Sequence, residues 1–316
     1  MKKILAIAMA AIMLLGLVAC AQQSDNGGSR DGYTVYLITM DQMDQHWANV
    51  NKGCEKAVEE LKADGVNVTY KWTAPQTKDD SKQIELINNA VNDGADAILL
   101  AANGPETCID AVKAAKEAGV KVVYVDSPAN EPGEKIFCTD NEAAAKTAGD
   151  ELLKALTDKG ITEGKIGIVN TNRSTQTCIW REEGFMKAFE GTAFELLEVQ
   201  YSDGDAVKSK DIATNYITEG VVAIYGTNEG CTVGVGNAVA ESDKDIIAVG
   251  FDKSDAVLAL VESGDLLCVM AQNPDQMGYQ GMLEAIAILK GEKTGDGATV
   301  DTGVSVVTAE NAANFK

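Results

Sequence analysis

Hydrophobic and polar positions follow two alternating rhythms along most of the chain. The run YTVYLITM (33–40) reads as a strand, and 47–62 places Val50, Cys54, Ala57, Val58 and Leu61 at the three- and four-residue spacing of a one-sided helix. The alternation continues through strand 66–72, helix 79–92, strand 96–101, helix 105–118 and strand 121–125. Gly65, Gly94 and Gly119 each fall between a helix and the next strand, where a left-handed residue closes a helix. A second series follows: helix 141–158, strand 165–170, helix 175–190, strand 194–200, helix 206–217, strand 221–225, helix 229–241, strand 246–250, helix 253–262 and strand 266–271. Helix 275–289 and a weak strand, 304–308, complete it. AILLA, KVVYV, KIGIV, VVAIY and IIAVG are near-continuous apolar runs, as strands covered by helices on both faces require. The expected fold class is therefore α/β, with two doubly wound parallel-sheet lobes. Right-handed crossovers gather the loops that follow the strands along one edge of each sheet, and two such edges facing each other make a cleft.

The first residues carry a different pattern. Lys2 and Lys3 precede an apolar run from Ile4 to Ala19 broken only by Gly16, which reads as a signal peptide over 1–19. It ends Leu17-Val18-Ala19-Cys20, similar to the bacterial lipobox, in which the cysteine is lipidated and becomes the first mature residue. Residues 20–31, rich in Gly, Ser and Asn, then serve as a flexible tether. The expected location is extracytoplasmic, on the cell membrane through a lipid on Cys20.

Charge and composition narrow the function. Lys+Arg 27 against Asp+Glu 48 gives a formal charge of −21, a surface that repels nucleic acid. A single histidine, His46, leaves no base for a Ser-His-Asp triad and no His-rich metal site; no cofactor or metal is expected. Cys54, Cys108, Cys138, Cys178, Cys231 and Cys268 are spread evenly without a CxxC pair, and read as buried free thiols.

The loops after the strands hold the chemistry. They bring Asp41 to Trp47, Asp126-Ser127, Asn170 to Arg173 with Arg181 beyond, Thr227-Asn228-Glu229, Asp252 and Gln272 to Gln276. Carboxylates accept from hydroxyls, amides donate and accept, a forked Arg donates, and an indole can cover the C–H face of a ring. That set suits a neutral polyol.

From Tyr33 to about Lys316 the chain resembles the sugar-binding proteins of bacterial ABC importers, the ribose- and galactose-binding group of type I periplasmic binding proteins. The stretches that carry the resemblance are GADAILLAANGPET (94–107), VVYVDS (122–127), TDNEAAAKTAGDEL (139–152), REEGF (181–185), YGTNEG (225–230), IIAVGFD (246–252) and AQNPDQMGYQGM (271–282). The resemblance implies ligand contacts at Asp44, His46, Trp47, Asp126, Arg181, Asn228, Asp252 and Gln272. It also departs from the family: His46 stands for a usual Phe and Asp44 for a usual Asn. Gly204 occupies the place of a further aromatic wall, for which Tyr201 or Trp180 could substitute. Simpler roles compete, with Asp126 and Asp252 as helix caps and Trp47 as core. Asn172 and Arg173 are cleft candidates without a motif.

The resemblance further implies lobes at 32–139 plus 272–301 and at 140–271 plus 302–316, with a three-segment hinge. A monomer would capture a monosaccharide or related polyol by lobe closure and deliver it to an ABC permease. A sensory component presenting the sugar-bound form to a membrane receptor is the alternative, and a nucleoside or autoinducer-type ligand is less favoured. An enzyme is not expected: no GxGxxG, GxxxxGK[ST] or GxSxG run is present.

Overall fold

The computed structural model describes residues 32–316; the signal peptide, Cys20 and the tether lie outside the described residues. Two sheets organise this part of the chain. The first has strand order β12-β5-β4-β3-β1-β2, built from β1 (Tyr33–Ile38), β2 (Val68–Thr73), β3 (Ala97–Leu100), β4 (Lys121–Val125), β5 (Lys135–Cys138) and β12 (Thr299–Asp301). The second runs β13-β11-β10-β9-β6-β7, from β6 (Glu163–Asn170), β7 (Ala193–Leu196), β9 (Ala223–Gly226), β10 (Ile247–Phe251), β11 (Cys268–Gln272) and β13 (Val304–Thr308). Short β8 (Gln200–Tyr201) adds to β6.

Each sheet is buried on both faces, which explains the apolar runs. In β1, Val35 and Leu37 join one core cluster while Tyr36 and Ile38 join the other. In β9, Ala223 and Tyr225 face one way and Ile224 the other. Alternate residues of a strand point to opposite faces, so each face needs its own layer of helices. Among the described residues these are α1 (Gln45–Ala63), α2 (Asp80–Asn92), α3 (Ile109–Glu117), α4 (Asn141–Asp158), α5 (Gln176–Lys187), α6 (Ala206–Thr218), α7 (Glu229–Ala240), α8 (Asp255–Ser263) and α9 (Pro274–Leu289). No helix among them is long and apolar enough to cross a membrane.

The chain passes between the sheets three times: from β5 to α4, from β11 to α9, and from β12 to β13. Short polar bonds gather at the crossings. Thr139 Oγ1 donates to Gln272 Oε1 at 2.9 Å, Asn273 Nδ2 to the Thr302 carbonyl at 2.9 Å, and the Thr302 amide to the Cys138 carbonyl at 2.8 Å.

Some details depart from the sequence pattern. The strand expected over 194–200 is split into β7 and β8, and α3 starts at Ile109 rather than 105. Strands β5 and β12 carry no clear signal, being four and three residues of half-buried pattern. β13 pairs antiparallel with β11, so the second sheet is not purely parallel. Gly65, Gly94 and Gly119 do take left-handed φ, and the six cysteines after Cys20 are buried and free.

Candidate functional site

The ends of the strands in both sheets converge on one pocket between them. Its lining includes Asp44, His46, Trp47, Asp126, Arg181, Asn228, Asp252 and Gln272, together with Met40, Lys78, Thr171, Thr175, Thr177 and Cys178. All eight sequence candidates thus come together, from loops and helix starts far apart in the chain.

The two halves place their key carboxylates in the same way. Asp126 follows β4 with φ 65°, and its amide bonds to the Phe137 carbonyl on β5 at 2.8 Å; Asp252 follows β10 with φ 76°, and its amide bonds to the Met270 carbonyl on β11 at 3.0 Å. Left-handed backbone at a non-glycine residue costs about 1–2 kcal/mol, which the flanking strands hold in place. Neither carboxylate caps a helix. Ser254 caps α8, accepting from the Val257 amide.

His46 joins the halves. Its Nε2 lies 3.1 Å from Asp126 Oδ1 and its Nδ1 3.5 Å from Asp252 Oδ1, and the residue is 7% exposed. Burial opposes a charged imidazole, but the hydrogen bonds to both carboxylates outweigh it and lift His46 to about 10. The same contact acts on Asp252: burial would raise it, yet the His46 bond, with Arg181 and Gln272 nearby, holds it down at about 2. Gln272 Nε2 donates to Asp252 Oδ1 at 2.6 Å.

A second charge cluster sits beside the first. Lys78 Nζ lies 2.7 Å from Asp41 and 3.1 Å from Asp44, with Asn228 Nδ2 at 3.4 Å from the same Asp44 oxygen. Burial raises Asp44, against the pull of the Lys78 charge, while for Asp41 burial is overcome by Lys78 and two backbone amides. Lys78 is missing from the sequence candidates, although it lies on the loop after β2 and so at the same sheet edge. A Cβ at Gly204 would lie 2.9 Å from Lys78 Nζ. The ammonium therefore occupies the space that an aromatic wall from position 204 would need. Tyr201 and Trp180 do not line the pocket; Tyr201 instead carries Arg173 over its ring at 4.7 Å and donates to Glu182. Asn172 folds its side chain onto Ser174 and Thr175, and neither it nor Arg173 reaches the pocket.

Arg181 is held for donation. Its Nε bonds to Asn141 Oδ1 at 2.7 Å, its Nη1 to the Thr227 carbonyl at 2.9 Å, and the guanidinium lies 4.3 Å above the Phe251 ring. Nη2 is left to reach the pocket. Asn228 caps α7 through the Cys231 amide at 3.0 Å, and so plays a structural part as well. Trp47 is edge-on to His46 at 4.7 Å, donates to Asp41, and belongs to the core cluster beneath α1.

Glu229, at the start of α7, accepts from the Gln45 and His46 amides at 3.0 Å each, so a carboxylate from one sheet's loops caps the first turn of a helix packed on the other. Burial, then the charges of Asp44 and Asp252, push it up to about 7 despite those two donors. The pocket's free volume is about 30 Å³, room for water only, and the His46 ring lies within hydrogen-bonding or ion-pair reach of both carboxylates that line it. No group of His, Cys, Asp and Glu among the described residues is arranged to hold a metal ion.

Comparison with known proteins gives a consistent picture. A family model described as "Periplasmic binding protein domain" matches residues 35–293. The ribose import binding protein of Haemophilus influenzae is 28% identical over 309 residues, covering 96% of this chain and 99% of that protein. The D-allose-binding periplasmic protein of Escherichia coli is 26% identical, covering 79% and 82%. Among solved structures, an ABC transporter solute binding protein from Agrobacterium vitis with bound D-fucose superposes with TM-score 0.81 at 29% identity, covering 89% of this chain and 99% of that one. A carbohydrate transporter solute binding protein from Agrobacterium radiobacter in complex with D-arabinose gives 0.82 at 28%, covering 90% and 96%.

Proposed function

Because the chain belongs to the periplasmic binding protein family, we propose that it captures a neutral monosaccharide or related polyol between its two sheets and hands it to an ABC permease. It is a solute-binding protein of the sugar-importer type rather than an enzyme. The observation that carries the ligand class is the internal pairing of charge. Lys78 answers Asp41 and Asp44, and His46 answers Asp126 and Asp252, so the cargo need bring no charge of its own. The second oxygens of Asp126 and Asp252 and the Nη2 of Arg181 remain to bind hydroxyls, with Trp47 beside them.

Entry requires movement, since about 30 Å³ cannot hold a sugar ring. The lobes, at 32–139 plus 272–301 and 140–271 plus 302–316, would part about the three crossings. Sugar would then favour closure by as much as it binds the closed arrangement better. Residues 1–31 supply export and a lipid anchor on Cys20, leaving the monomeric body free to meet the permease.

A thermal-shift screen over pentoses, hexoses, polyols, nucleosides and amino acids tests the reading. At one hundred times Kd a binder adds about 2.7 kcal/mol of stability. Stabilisation by a sugar supports the assignment; stabilisation by amino acids or nucleosides with no sugar active overturns it.

A further inference from the structure

Beside the inner pocket lies a larger chamber, about 550 Å³, that the monosaccharide reading leaves without a role. The two spaces share Asp44 and Lys78, so the buried Lys78–Asp44 ion pair stands on their common boundary. At Gly204, which has φ 74°, the chamber's wall carries no side chain, and the Lys78 ammonium lies where one would project. We propose that the chamber is a second sugar subsite, and that the cargo is a disaccharide or glycoside with one ring in the inner pocket and its neighbour beyond Gly204. The inference rests on the sugar assignment and extends it.

The lining chooses among occupants. Asp203, Asp205 and Glu229 offer oxygens that accept from hydroxyls, while Ala206, Val233 and Met43 offer carbon surface for a ring face. Met43 is 76% exposed, a long adaptable side chain at the rim. Five carboxylates line the space with two ammonium groups, Lys78 and Lys208, and the lysines are already paired: Lys208 lies 3.2 Å from Asp203. A phosphorylated sugar would meet net repulsion there, whereas an uncharged second ring meets acceptors and methyl groups.

Calorimetry on the purified chain provides the test, with D-glucose, D-galactose, D-xylose and L-arabinose set against cellobiose, maltose, lactose, melibiose, xylobiose and arabinobiose, and with glucose 6-phosphate. At least one disaccharide should bind about tenfold or more tightly than its own component sugar. Ala206→Trp and Ala256→Trp, which fill the chamber without touching the inner pocket, should erase that gain and leave the monosaccharide Kd unchanged. Monosaccharide binding with no disaccharide gain, a gain that survives both variants, or tighter binding of the phosphate would overturn the chamber alone. Failure of every sugar would overturn the sugar assignment and the chamber with it.

Discussion

Replacing His46 by Gln removes the charge that links Asp126 to Asp252 while keeping a side chain of similar reach. His46 is a base whose pKa rises on folding, from an ordinary 6.5 to about 10. Its contribution to stability is therefore whole below about pH 6.5 and fades as pH climbs toward 10. Between pH 7.5 and 9 the unfolded imidazole is neutral and the folded one still charged, so each pH unit removes about 1.4 kcal/mol and the window about 2 kcal/mol. For a chain of this size that lowers Tm by about 4 °C. Melting curves of both proteins across the window measure it. Buried thiols that resist ionisation when folded also favour unfolding toward the upper end, because the unfolded chain releases their protons there, but they are common to both proteins and cancel in the difference. The wild type should lose about 2 kcal/mol more than His46→Gln. Parallel Tm–pH curves would refute the bridge.

Three further outcomes follow from the same site. Asp126→Asn keeps a residue that tolerates left-handed φ but weakens acceptance from hydroxyls, so sugar affinity should fall at least about tenfold by calorimetry, and because it also removes one of the two carboxylates facing His46 the Tm should fall with it. Lys78→Met leaves two buried carboxylates without a cation and should cost about 3 kcal/mol at pH 7, shrinking toward pH 5 as they take up protons; denaturant melts at both pH values read this, and an equal loss at both would count against it. Glu229 has a pKa raised to about 7, so the folded chain binds its proton more tightly and stability falls as pH rises from about 4.5 to 7, by at most about 3 kcal/mol. In Glu229→Gln that slope should flatten, and an unchanged slope would remove the carboxylate from the account.

The strand-end loops were legible because sheet topology dictates where ligands bind, and motifs such as VVYVDS and IIAVGFD marked which residues to weigh. The pairings inside the site were not. Lys78 meets Asp41 and Asp44 across more than thirty residues of chain, and no local spacing announces it. His46 looked like a simple exchange for a stacking ring, whereas the geometry makes it a donor to carboxylates on opposite sheets. Trp47 turned out to serve both pocket and core, so Trp47→Ala would open a cavity costing about 3–5 kcal/mol, and Trp47→Phe is the cleaner binding probe. Strands β5 and β12 were hidden for another reason: segments of four and three residues are too short to show a period.

The most direct measurement is a crystal structure with the sugar that stabilises the protein most. The account predicts a sugar ring between the two sheets, its hydroxyls on Asp126, Asp252 and Arg181 and one face against Trp47, chemically unchanged. Density for that sugar only on the outer surface, or for a transformed product in the pocket, would contradict it.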